Sequence, residues 1–238
     1  MKAIILAAGR GTRMRTLTEQ KPKCLLPVND KPILAYQLEA LLENGVKDIV
    51  IVIGYKGDMI KDYISKNPQF KDLNITYVEN NEYGKSDSSY SWWLARNHIQ
   101  NEDTILHFNS DLVFYPELIK KIIDTPSENA IFIDKEIELE EKSMEQVILE
   151  FDTNKILLMD NKTLPGAHGK AVGVAKYSGE CIQFMMKQID GFVTKGNKNQ
   201  HFYWLLRNAV KEFDIHGLDI GSSYFKEINT LEEYGAVK

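Results

Sequence analysis

Cysteine is scarce in this sequence, with only Cys24 and Cys181 among 238 residues, and neither lies in a Cys-x-x-Cys pair. This excludes a disulfide framework and the usual structural zinc motifs. Long apolar runs are also missing: none approaches the ~18–20 residues of a membrane span, so we expect no membrane partner. The apolar stretch at residues 3–8 is too short for a signal peptide, and we expect a reducing, cytoplasmic location.

Basic residues are in the minority, because 29 lysines and arginines stand against 34 aspartates and glutamates, for a formal net charge of −5. A dedicated nucleic-acid-binding protein usually needs a basic face, so we expect no nucleic acid partner. The five histidines show no pair spacing typical of a metal site, and the Gly-x-Ser-x-Gly motif of serine hydrolases is absent. The apolar share of 43% is that of an ordinary globular protein.

Strands and helices alternate in the first half of the chain. Continuous apolar runs at residues 3–7 and 49–53 are typical of strands buried on both faces. A predicted helix at residues 32–44 has Pro32 in its first turn and Gly45 just past its end. The alternation predicts an α/β fold with a Rossmann-like, mostly parallel central sheet and helices on both faces. The other predicted elements are strands at 74–78 and 104–108 and helices at 58–65, at 88–99 and from Pro116 onward.

The second half changes character and predicts a small mixed β extension. We expect strands at 130–134, 146–151, 155–159, 170–177 and near 224–228, helices at 179–189 and 199–213, and a short final helix. The acidic segment at residues 136–145 is interpreted as a solvated loop or helix face. No linker or repeat interrupts the chain, so we expect one domain over residues 1–238. Residues up to about 128 would bind a nucleotide, and those from about 129 to 238 would bind an acceptor.

The first predicted strand runs into a glycine-containing loop at residues 6–14, Leu-Ala-Ala-Gly-Arg-Gly-Thr-Arg-Met. Small residues here let backbone N–H groups approach an anion closely. Between positions 10 and 23, basic residues outnumber the single acid Glu19: they are Arg10, Arg13, Arg15, Lys21 and Lys23. This local charge favours a polyphosphate site, with a tight turn and a solvated basic loop as the alternative. Met14 excludes a dinucleotide-binding loop, which needs glycine there, and the Gly-Lys-Ser/Thr of a P-loop is absent.

The loop resembles the signature of the nucleotidyltransferase (nucleoside-diphosphosugar pyrophosphorylase) superfamily, and the resemblance continues through residues 21–23 (Lys-Pro-Lys) and 31–34 (Lys-Pro-Ile-Leu). Within it, the chain is similar to bacterial cytidylyltransferases that activate phosphocholine, aminoethylphosphonate and related phospho-alcohols. Residues 80–83 (Asn-Asn-Glu-Tyr) with Ser91, and residues 202–204 (Phe-Tyr-Trp), carry that closer similarity. The resemblance implies the GT-A-like nucleotidyltransferase fold and a role in cell-surface polysaccharide or phosphonate biosynthesis.

The resemblance also implies a Mg²⁺ site. Asp111 follows the strand at 104–108, near the strand ends where open α/β sheets bind ligands, although it could instead cap the helix at Pro116. The family's second ligand lies in a Glu-Ile-Asp-Thr motif, and residues 227–230 read Glu-Ile-Asn-Thr, so Asn229 replaces the aspartate. An amide oxygen is a suitable ligand for Mg²⁺. The alternative role for Asn229 is the N-cap of the final helix.

The reaction implied is in-line attack of an acceptor phosphate or phosphonate on the α-phosphorus of a nucleoside triphosphate. Lys23 and Arg13 would be the catalytic electrostatic clamps. In the family the loop at residues 83–89 reaches the nucleobase, where relatives often have two asparagines in place of Asp87 and Ser88. Helix capping is the alternative for these two residues. The expected nucleotide-binding residues are Leu6, Ala8, Gly9, Gly11, Thr12, Arg13, Lys23, Asp87 and Ser88.

Four residues are expected to bind the acceptor: Lys170, His201, Tyr203 and Trp204. Choline-type relatives keep a tyrosine–tryptophan pair at the last two, and aromatic faces hold quaternary ammonium groups. Packing in the core of an amphipathic helix is the alternative for this pair. The relatives also place acids nearby, whereas this chain has His201, Leu205 and Lys170. We therefore expect phosphocholine to be a poor acceptor beside a neutral or anionic phospho-alcohol.

The predicted function is Mg²⁺-dependent transfer of a nucleotidyl group, CMP from CTP, to a small phosphorylated or phosphono-alcohol, with release of pyrophosphate. The first alternative is a sugar-1-phosphate nucleotidyltransferase that uses UTP or dTTP. The second is a catalytically silent nucleotide-sensing subunit, which the joint presence of Arg13, Lys23 and Asp111 disfavours. A monomer and a homodimer are both compatible with the sequence.

Overall fold

The computed structural model describes residues 1–139 and 142–237. Within them, nine strands form one sheet and two further strand pairs form short ribbons. The strands are β1 (Lys2–Ala7), β2 (Pro27–Val28), β3 (Lys31–Pro32), β4 (Asp48–Ile53), β5 (Asn74–Glu79), β6 (Thr104–Asn109), β7 (Leu112–Phe114), β8 (Asn129–Asp134), β9 (Lys142–Leu149), β10 (Ile156–Lys162), β11 (Gly169–Ser178), β12 (Ile215–Asp219) and β13 (Phe225–Glu227). The helices are α1 (Ile33–Glu43), α2 (Gly57–Ser65), α3 (Ser88–Leu94), α4 (Arg96–Ile99), α5 (Pro116–Asp124), α6 (Gly179–Val193), α7 (Phe202–Glu212) and α8 (Leu231–Ala236).

The strand order places parallel neighbours at the centre of the sheet. β5, β4, β1 and β6 are adjacent and parallel, with Ile5 beside Ile51 on one side and Phe108 on the other. β11 runs antiparallel between β6 and β8, and β12 is parallel to β8. The hairpin of β9 and β10 joins the start of β11. The predicted fold class, a mostly parallel sheet with a mixed β extension, is confirmed.

Helices cover both faces of the sheet, which explains the continuous apolar runs of its central strands. Successive side chains of a strand point to opposite faces. Ile5 accordingly packs in one core cluster with Leu38 of α1, while Ile4 packs in a second with Trp92 of α3. Both isoleucines are fully buried, so either face would lose apolar contacts if a polar residue replaced them.

A short antiparallel ribbon brings two distant segments to the carboxyl ends of the central strands. β7 follows β6 directly and pairs with β13, with Leu112 opposite Glu227. The backbone N–H of Ile228 also donates to the carbonyl oxygen of Asp111 at 3.0 Å. The ribbon therefore places Asp111 next to Asn229, which comes from the far end of the chain.

Strand β12 and the ends of several elements differ from the sequence prediction. β12 was not predicted from the sequence, because Ile-His-Gly-Leu-Asp lacks a regular alternation of apolar and polar residues. A Cβ at Gly217 would lie 2.9 Å from Leu149 Cδ2. The predicted helix at 88–99 divides at Ala95 into α3 and α4. The helix expected from residue 199 begins at Phe202, because residues 198–200 run along the start of α3.

The acidic segment at residues 136–145 is not wholly solvated as expected. Glu145 lies in β9, is only 8% exposed and pairs with Arg207 of α7. Residues 140 and 141 of that segment lie outside the described residues. In the described part of the chain, every helix is too short or too polar to cross a lipid bilayer.

Candidate active site

A cleft of about 290 Å³ opens at the carboxyl ends of β1 and β6. Ligands bind in this position in open α/β sheets, because the loops leaving the strands meet there. Of the expected nucleotide-binding residues, those that line the cleft are Leu6, Ala8, Gly9, Gly11, Lys23, Asp87 and Ser88. Thr12 and Arg13 are exposed at the start of an adjoining 3₁₀ turn, Thr12–Thr18.

Gly11 shapes the loop that follows β1. Its φ of 64° lies in the left-handed region, which glycine adopts without strain. A Cβ at this position would lie 3.0 Å from Cβ of Lys23 and 3.3 Å from Cγ2 of Thr18. Glycine is therefore needed here both for the turn and for the close approach of Lys23.

Four of the predicted residues meet at one edge of the cleft. Lys23 Nζ donates to Asp111 Oδ2 at 2.7 Å and to Asn229 Oδ1 at 3.1 Å. Arg13 Nη2 donates to the same Asn229 oxygen at 2.8 Å. We call these four side chains the phosphate edge. The arrangement concentrates two cations beside the glycine loop, as a site for a polyphosphate requires.

The oxygens of the phosphate edge fit a hard divalent cation in part. Asp111 Oδ1 is buried and has no hydrogen-bond partner among the described residues, and the oxygens of Asp111 and Asn229 both reach one cationic atom, Lys23 Nζ. In the described residues no group of three or more His, Cys, Asp or Glu side chains could hold a metal by itself. Mg²⁺ is commonly held by one or two carboxylates together with substrate phosphates, and this donor set suits that pattern.

The alternative capping role of Asn229 is not what the structure shows. The N-cap of α8 is Thr230, whose hydroxyl accepts the Glu233 N–H while the Glu233 carboxylate accepts the Thr230 N–H, a capping box. The side chain of Asn229 is consequently available to Lys23 and Arg13.

Asn80, at the end of β5, organises the loop expected to meet the nucleobase. It is 1% exposed, and its Nδ2 donates to the hydroxyls of Ser86 at 3.1 Å and Ser91 at 3.0 Å. Its Oδ1 accepts the backbone N–H of Glu82 at 2.9 Å. Asn80 and Ser91 also line the cleft. They were not assigned to the site from the sequence, although a polar residue at the end of a parallel strand indicates the edge of the sheet where ligands bind.

Asp87 caps α3 and lines the cleft at the same time. Its carboxylate accepts the backbone N–H of Ser88 at 2.6 Å and the Ser88 hydroxyl at 3.0 Å. The Ser88 hydroxyl in turn accepts the Phe202 N–H at 2.9 Å, and the Asp87 N–H donates to the carbonyl of Lys198. The segment before α7 thus holds the start of α3, and the capping alternative accounts for Asp87 without removing it from the cleft.

The aromatic pair at the start of α7 divides between the cleft and the core. His201 and Tyr203 line the cleft together with Phe202. Trp204, contrary to expectation, packs edge-to-face on Phe192 with ring centroids 4.8 Å apart. Consecutive helical residues point about 100° apart, which is consistent with Tyr203 on the cleft and Trp204 against Phe192 of α6.

Lys170 does not line the cleft itself. It forms an ion pair with Glu227 at 2.5 Å and lines a second cavity of about 410 Å³ between β11 and β13. Arg207, one turn after Tyr203 on α7, holds Glu145 through both guanidinium and carboxylate forks. Both pairs are largely buried, with side-chain exposures between 10% and 21%.

The expectation that acids are missing around Tyr203 is therefore wrong. Burial raises the pKa of Tyr203 well above its usual value, and the negative charges of Glu227, Glu145 and Asp111 raise it further. These carboxylates come from β13, β9 and the β6–β7 turn, which no local motif connects with α7. Glu227 and Glu145 are, however, each neutralised by an ion pair, with Lys170 and Arg207 respectively.

Two buried residues near the cleft are chemically inert. Burial raises the pKa of the Cys24 thiol to about 12, which excludes a thiolate nucleophile beside Lys23. Burial lowers the pKa of His107 to about 3, and its ring stacks on Phe202 with centroids 4.2 Å apart. A histidine that stays neutral in this aromatic cluster is a structural residue rather than a general base.

Comparisons with known proteins agree with this geometry. A family model described as nucleotidyl transferase matches residues 2–142. The chain is 27% identical over 239 residues to a choline-phosphate cytidylyltransferase of Streptococcus pneumoniae, covering 98% of this chain and 95% of that protein. It is 33% identical over 140 residues to a CTP:phosphoglutamine cytidylyltransferase of Campylobacter jejuni, covering 57% of this chain and 53% of that one. The solved CTP:phosphocholine cytidylyltransferase from Streptococcus pneumoniae has the same fold, with a TM-score of 0.76 at 23% identity, covering 99% of this chain and 96% of that chain.

Proposed function

Because this chain belongs to the nucleotidyl transferase family, we propose that it transfers CMP from CTP to a small phosphorylated or phosphono-alcohol and releases pyrophosphate. The observation that carries the proposal is the phosphate edge, where Lys23, Arg13, Asp111 and Asn229 converge beside the glycine loop. A nucleotide-sensing subunit would need the loop but not this charged cluster. We therefore propose an enzyme rather than a nucleotide-sensing subunit.

The reaction needs positioning and charge compensation rather than a base. A phosphate or phosphonate oxygen of the acceptor forms a bond to the α-phosphorus of CTP, the bond from that phosphorus to the bridging oxygen breaks, and pyrophosphate leaves with the electron pair. The attacking oxygen is already anionic, so no proton has to move first. Lys23 and Arg13 offset the negative charge that the two reactants bring together. Mg²⁺, held by Asp111 and Asn229, would neutralise phosphate charge when bound.

Cytosine is the proposed base for two reasons. The choline-phosphate cytidylyltransferase that matches 98% of this chain is named for transfer of a cytidylyl group, whereas the UTP–glucose-1-phosphate uridylyltransferase of Haloferax volcanii matches 66% of it. The cleft wall near the loop also includes polar side chains, Asp87 and Ser88 among them. The carboxylate of Asp87 can accept a hydrogen bond from the exocyclic amino group of cytosine, which uracil and thymine lack.

The proposed acceptor is a phospho-alcohol with a neutral or anionic head group rather than a quaternary ammonium. Tyr203 and His201 supply hydrogen-bonding groups on the acceptor side of the cleft. The carboxylates nearest to Tyr203 are each paired, Glu227 with Lys170 and Glu145 with Arg207. A quaternary ammonium would meet a surface whose charges already cancel, so the cation–π attraction of one tyrosine would have to hold it. We therefore keep phosphocholine as a poor acceptor.

A substrate matrix tests the proposal. The purified protein would be incubated with CTP, UTP, dTTP or ATP, each against phosphocholine, aminoethylphosphonate, polyol phosphates, phosphoglutamine and glucose 1-phosphate, and pyrophosphate release would be measured. We expect turnover with CTP and a phospho-alcohol, and none in an Asp111→Ala variant. Turnover confined to UTP or dTTP with glucose 1-phosphate would replace the proposal with a sugar nucleotidyltransferase. The absence of turnover with every substrate pair would favour the alternative of a catalytically silent nucleotide-sensing subunit.

A further inference from the structure

Gln37 is a buried polar residue that the reaction above does not use. It lies in the middle of α1 and has 0% of its surface exposed. A buried side-chain amide costs free energy unless its groups are hydrogen-bonded. The partners of Gln37 therefore indicate what it does in the fold.

The amide nitrogen of Gln37 holds the turn between β6 and β7. Nε2 donates to the carbonyl oxygen of Asn109 at 2.9 Å and to that of Leu112 at 3.0 Å. These two carbonyls flank Asp111, the carboxylate of the phosphate edge. One planar NH₂ group that binds two carbonyls three residues apart fixes the shape of the turn between them.

Two contacts from other elements fix the same turn. The Ile228 N–H donates to the carbonyl of Asp111 at 3.0 Å, from the β13 side. The side chain of Asn109 packs over Gly173 of β11, where a Cβ would come within 2.2 Å of Asn109 Nδ2. The turn that carries Asp111 is thus clamped from α1, from β11 and from the ribbon.

The oxygen of the Gln37 amide contrasts with its nitrogen. Among the described residues, its buried Oε1 has no hydrogen-bond donor. An unsatisfied buried acceptor is destabilising, and methionine has a similar length without that oxygen. What methionine lacks is the NH₂ group that reaches both carbonyls.

We propose that Gln37 is a positioning residue that holds Asp111 in the geometry required for binding of the metal–triphosphate complex. The inference rests on the proposed function, since it takes Asp111 as a metal ligand. Mg²⁺ demands near-ideal octahedral geometry, so a carboxylate on a loosened turn binds it less well. Partners that orient metal ligands typically change metal affinity ~10–100-fold when they are removed.

A matched pair of α1 variants tests the proposal. In Gln37→Met the two donors are lost while the length of the side chain is kept. Asn44→Leu is the control, because Asn44 Nδ2 also donates to two carbonyls, those of Ala40 at 2.8 Å and Pro116 at 2.9 Å, but away from the phosphate edge. Binding of Mn²⁺ in the presence of inorganic triphosphate would be measured by electron paramagnetic resonance. Hydrogen exchange of the amides at 109–112 would be followed in parallel.

We expect Gln37→Met to weaken Mn²⁺ binding ~10-fold or more and to speed exchange in the turn. Asn44→Leu should lower the melting temperature while its Mn²⁺ affinity stays within about twofold of wild type. A folded Gln37→Met protein with wild-type Mn²⁺ affinity would overturn the proposal. If that variant does not fold, Gln37→Asn, which keeps the amide on a shorter stem, is judged by the same criterion.

The readout separates this inference from the proposed function. Inorganic triphosphate needs no nucleobase and no acceptor, so the comparison holds even if the base or the acceptor is assigned wrongly. Asp111→Ala must abolish the Mn²⁺ signal. If it does not, the metal assignment fails, and the role of Gln37 fails with it. If it does, and wild type nevertheless releases no pyrophosphate from any substrate pair, only the proposed reaction is refuted.

Discussion

The two sides of the cleft handle charge in different ways. At the phosphate edge, Lys23 and Arg13 share one oxygen of Asn229, and Asp111 keeps a buried oxygen with no partner in the described structure. The charges there are incompletely satisfied by the protein itself. A polyphosphate and a cation would complete them.

On the acceptor side, by contrast, the protein completes its own pairs. Glu145 is held by Arg207 and Glu227 by Lys170, all four within or next to buried surface around Tyr203. A charged ligand gains little from a surface whose charges already cancel. From this difference we infer that the first side selects its ligand by charge, whereas the second selects by shape and hydrogen bonding. The experiments below test this contrast.

Removal of divalent cations is the most severe test of the phosphate edge. EDTA should reduce pyrophosphate release to background, and added Mg²⁺ should restore it, because Lys23 and Arg13 alone would then have to offset the charge of the phosphates and of Asp111. A coupled pyrophosphate assay measures both steps. Full activity in excess EDTA would show that Asp111 and Asn229 serve another purpose.

Replacement of Lys23 by alanine should lower kcat by ~10²–10³, the scale expected for the loss of one oriented electrostatic group. The fold should persist, since Lys23 lies in a short 3₁₀ turn rather than in the core. Lys21→Ala is the matched control: it is exposed and belongs to the same Lys-Pro-Lys sequence, and it should stay close to wild type. Near-normal turnover by a folded Lys23→Ala protein would remove Lys23 from the mechanism.

The protein should be less stable in mild acid because His107 is buried against Phe202 of α7. His107 has a pKa lowered to about 3 by burial, against 6.5 when unfolded, so the folded state favours its neutral form. The stabilisation is complete above about pH 6.5 and is lost as the pH falls below it. Urea unfolding should show a free energy lower by about 2 kcal/mol at pH 5 than at pH 7.5. In His107→Phe this loss of unfolding free energy at low pH should disappear. An unchanged pH dependence in that variant would show that other titratable groups cause it.

Substitutions of Asn229 should separate the ligand role from plain packing. Asn229→Asp should be tolerated, because a carboxylate also supplies a hard oxygen. Asn229→Leu should raise the Mg²⁺ concentration for half-maximal rate ~10-fold, within the range seen when metal-site partners are lost. The Mg²⁺ concentration for half-maximal rate is measured by titrating Mg²⁺ against the rate of each variant. Full activity of Asn229→Leu at limiting Mg²⁺ would assign the metal to Asp111 and substrate alone.

The smallest expected effect concerns the acceptor side. Arg207→Gln should free the Glu145 carboxylate beside Tyr203, and kcat/KM for phosphocholine should rise about three- to tenfold relative to a polyol phosphate, as ~1 kcal/mol of attraction would give. Lys211→Gln, an exposed cation one turn further along α7, is the control. If wild type already prefers phosphocholine tenfold, the paired acids do not exclude cations and the contrast between the two sides fails.

The prediction of the phosphate edge rested on the family resemblance of the glycine loop, the Lys-Pro-Lys segment and the Glu-Ile-Asn-Thr motif. The first two segments and Asp111 lie in loops at or after buried strands, and parallel strands bring such loops to one edge of the sheet. Asn229 reaches the same edge only through the antiparallel β7–β13 ribbon, which spacing along the chain does not predict.

The acceptor side could not be predicted in the same way. Glu145 meets Arg207 only because the β9–β10 hairpin packs against α7, and Lys170 meets Glu227 only through the position of the β7–β13 ribbon. Such pairings depend on tertiary packing and leave no local pattern. β12 was missed for a related reason, since Gly217, which packs close to Leu149 of β9, interrupts its alternation.

The central claim, that the protein joins CMP to a phospho-alcohol, is tested most directly by phosphorus NMR of one mixture. The protein, CTP, Mg²⁺ and an equimolar set of phospho-alcohols would be followed over time. We expect the α-phosphorus signal of CTP to be replaced by that of a diphosphate diester that links cytidine to the alcohol, while an equal amount of pyrophosphate appears, and we expect Asp111→Ala to show neither. CTP that stays intact, or is hydrolysed to CMP with no diester formed, would contradict it.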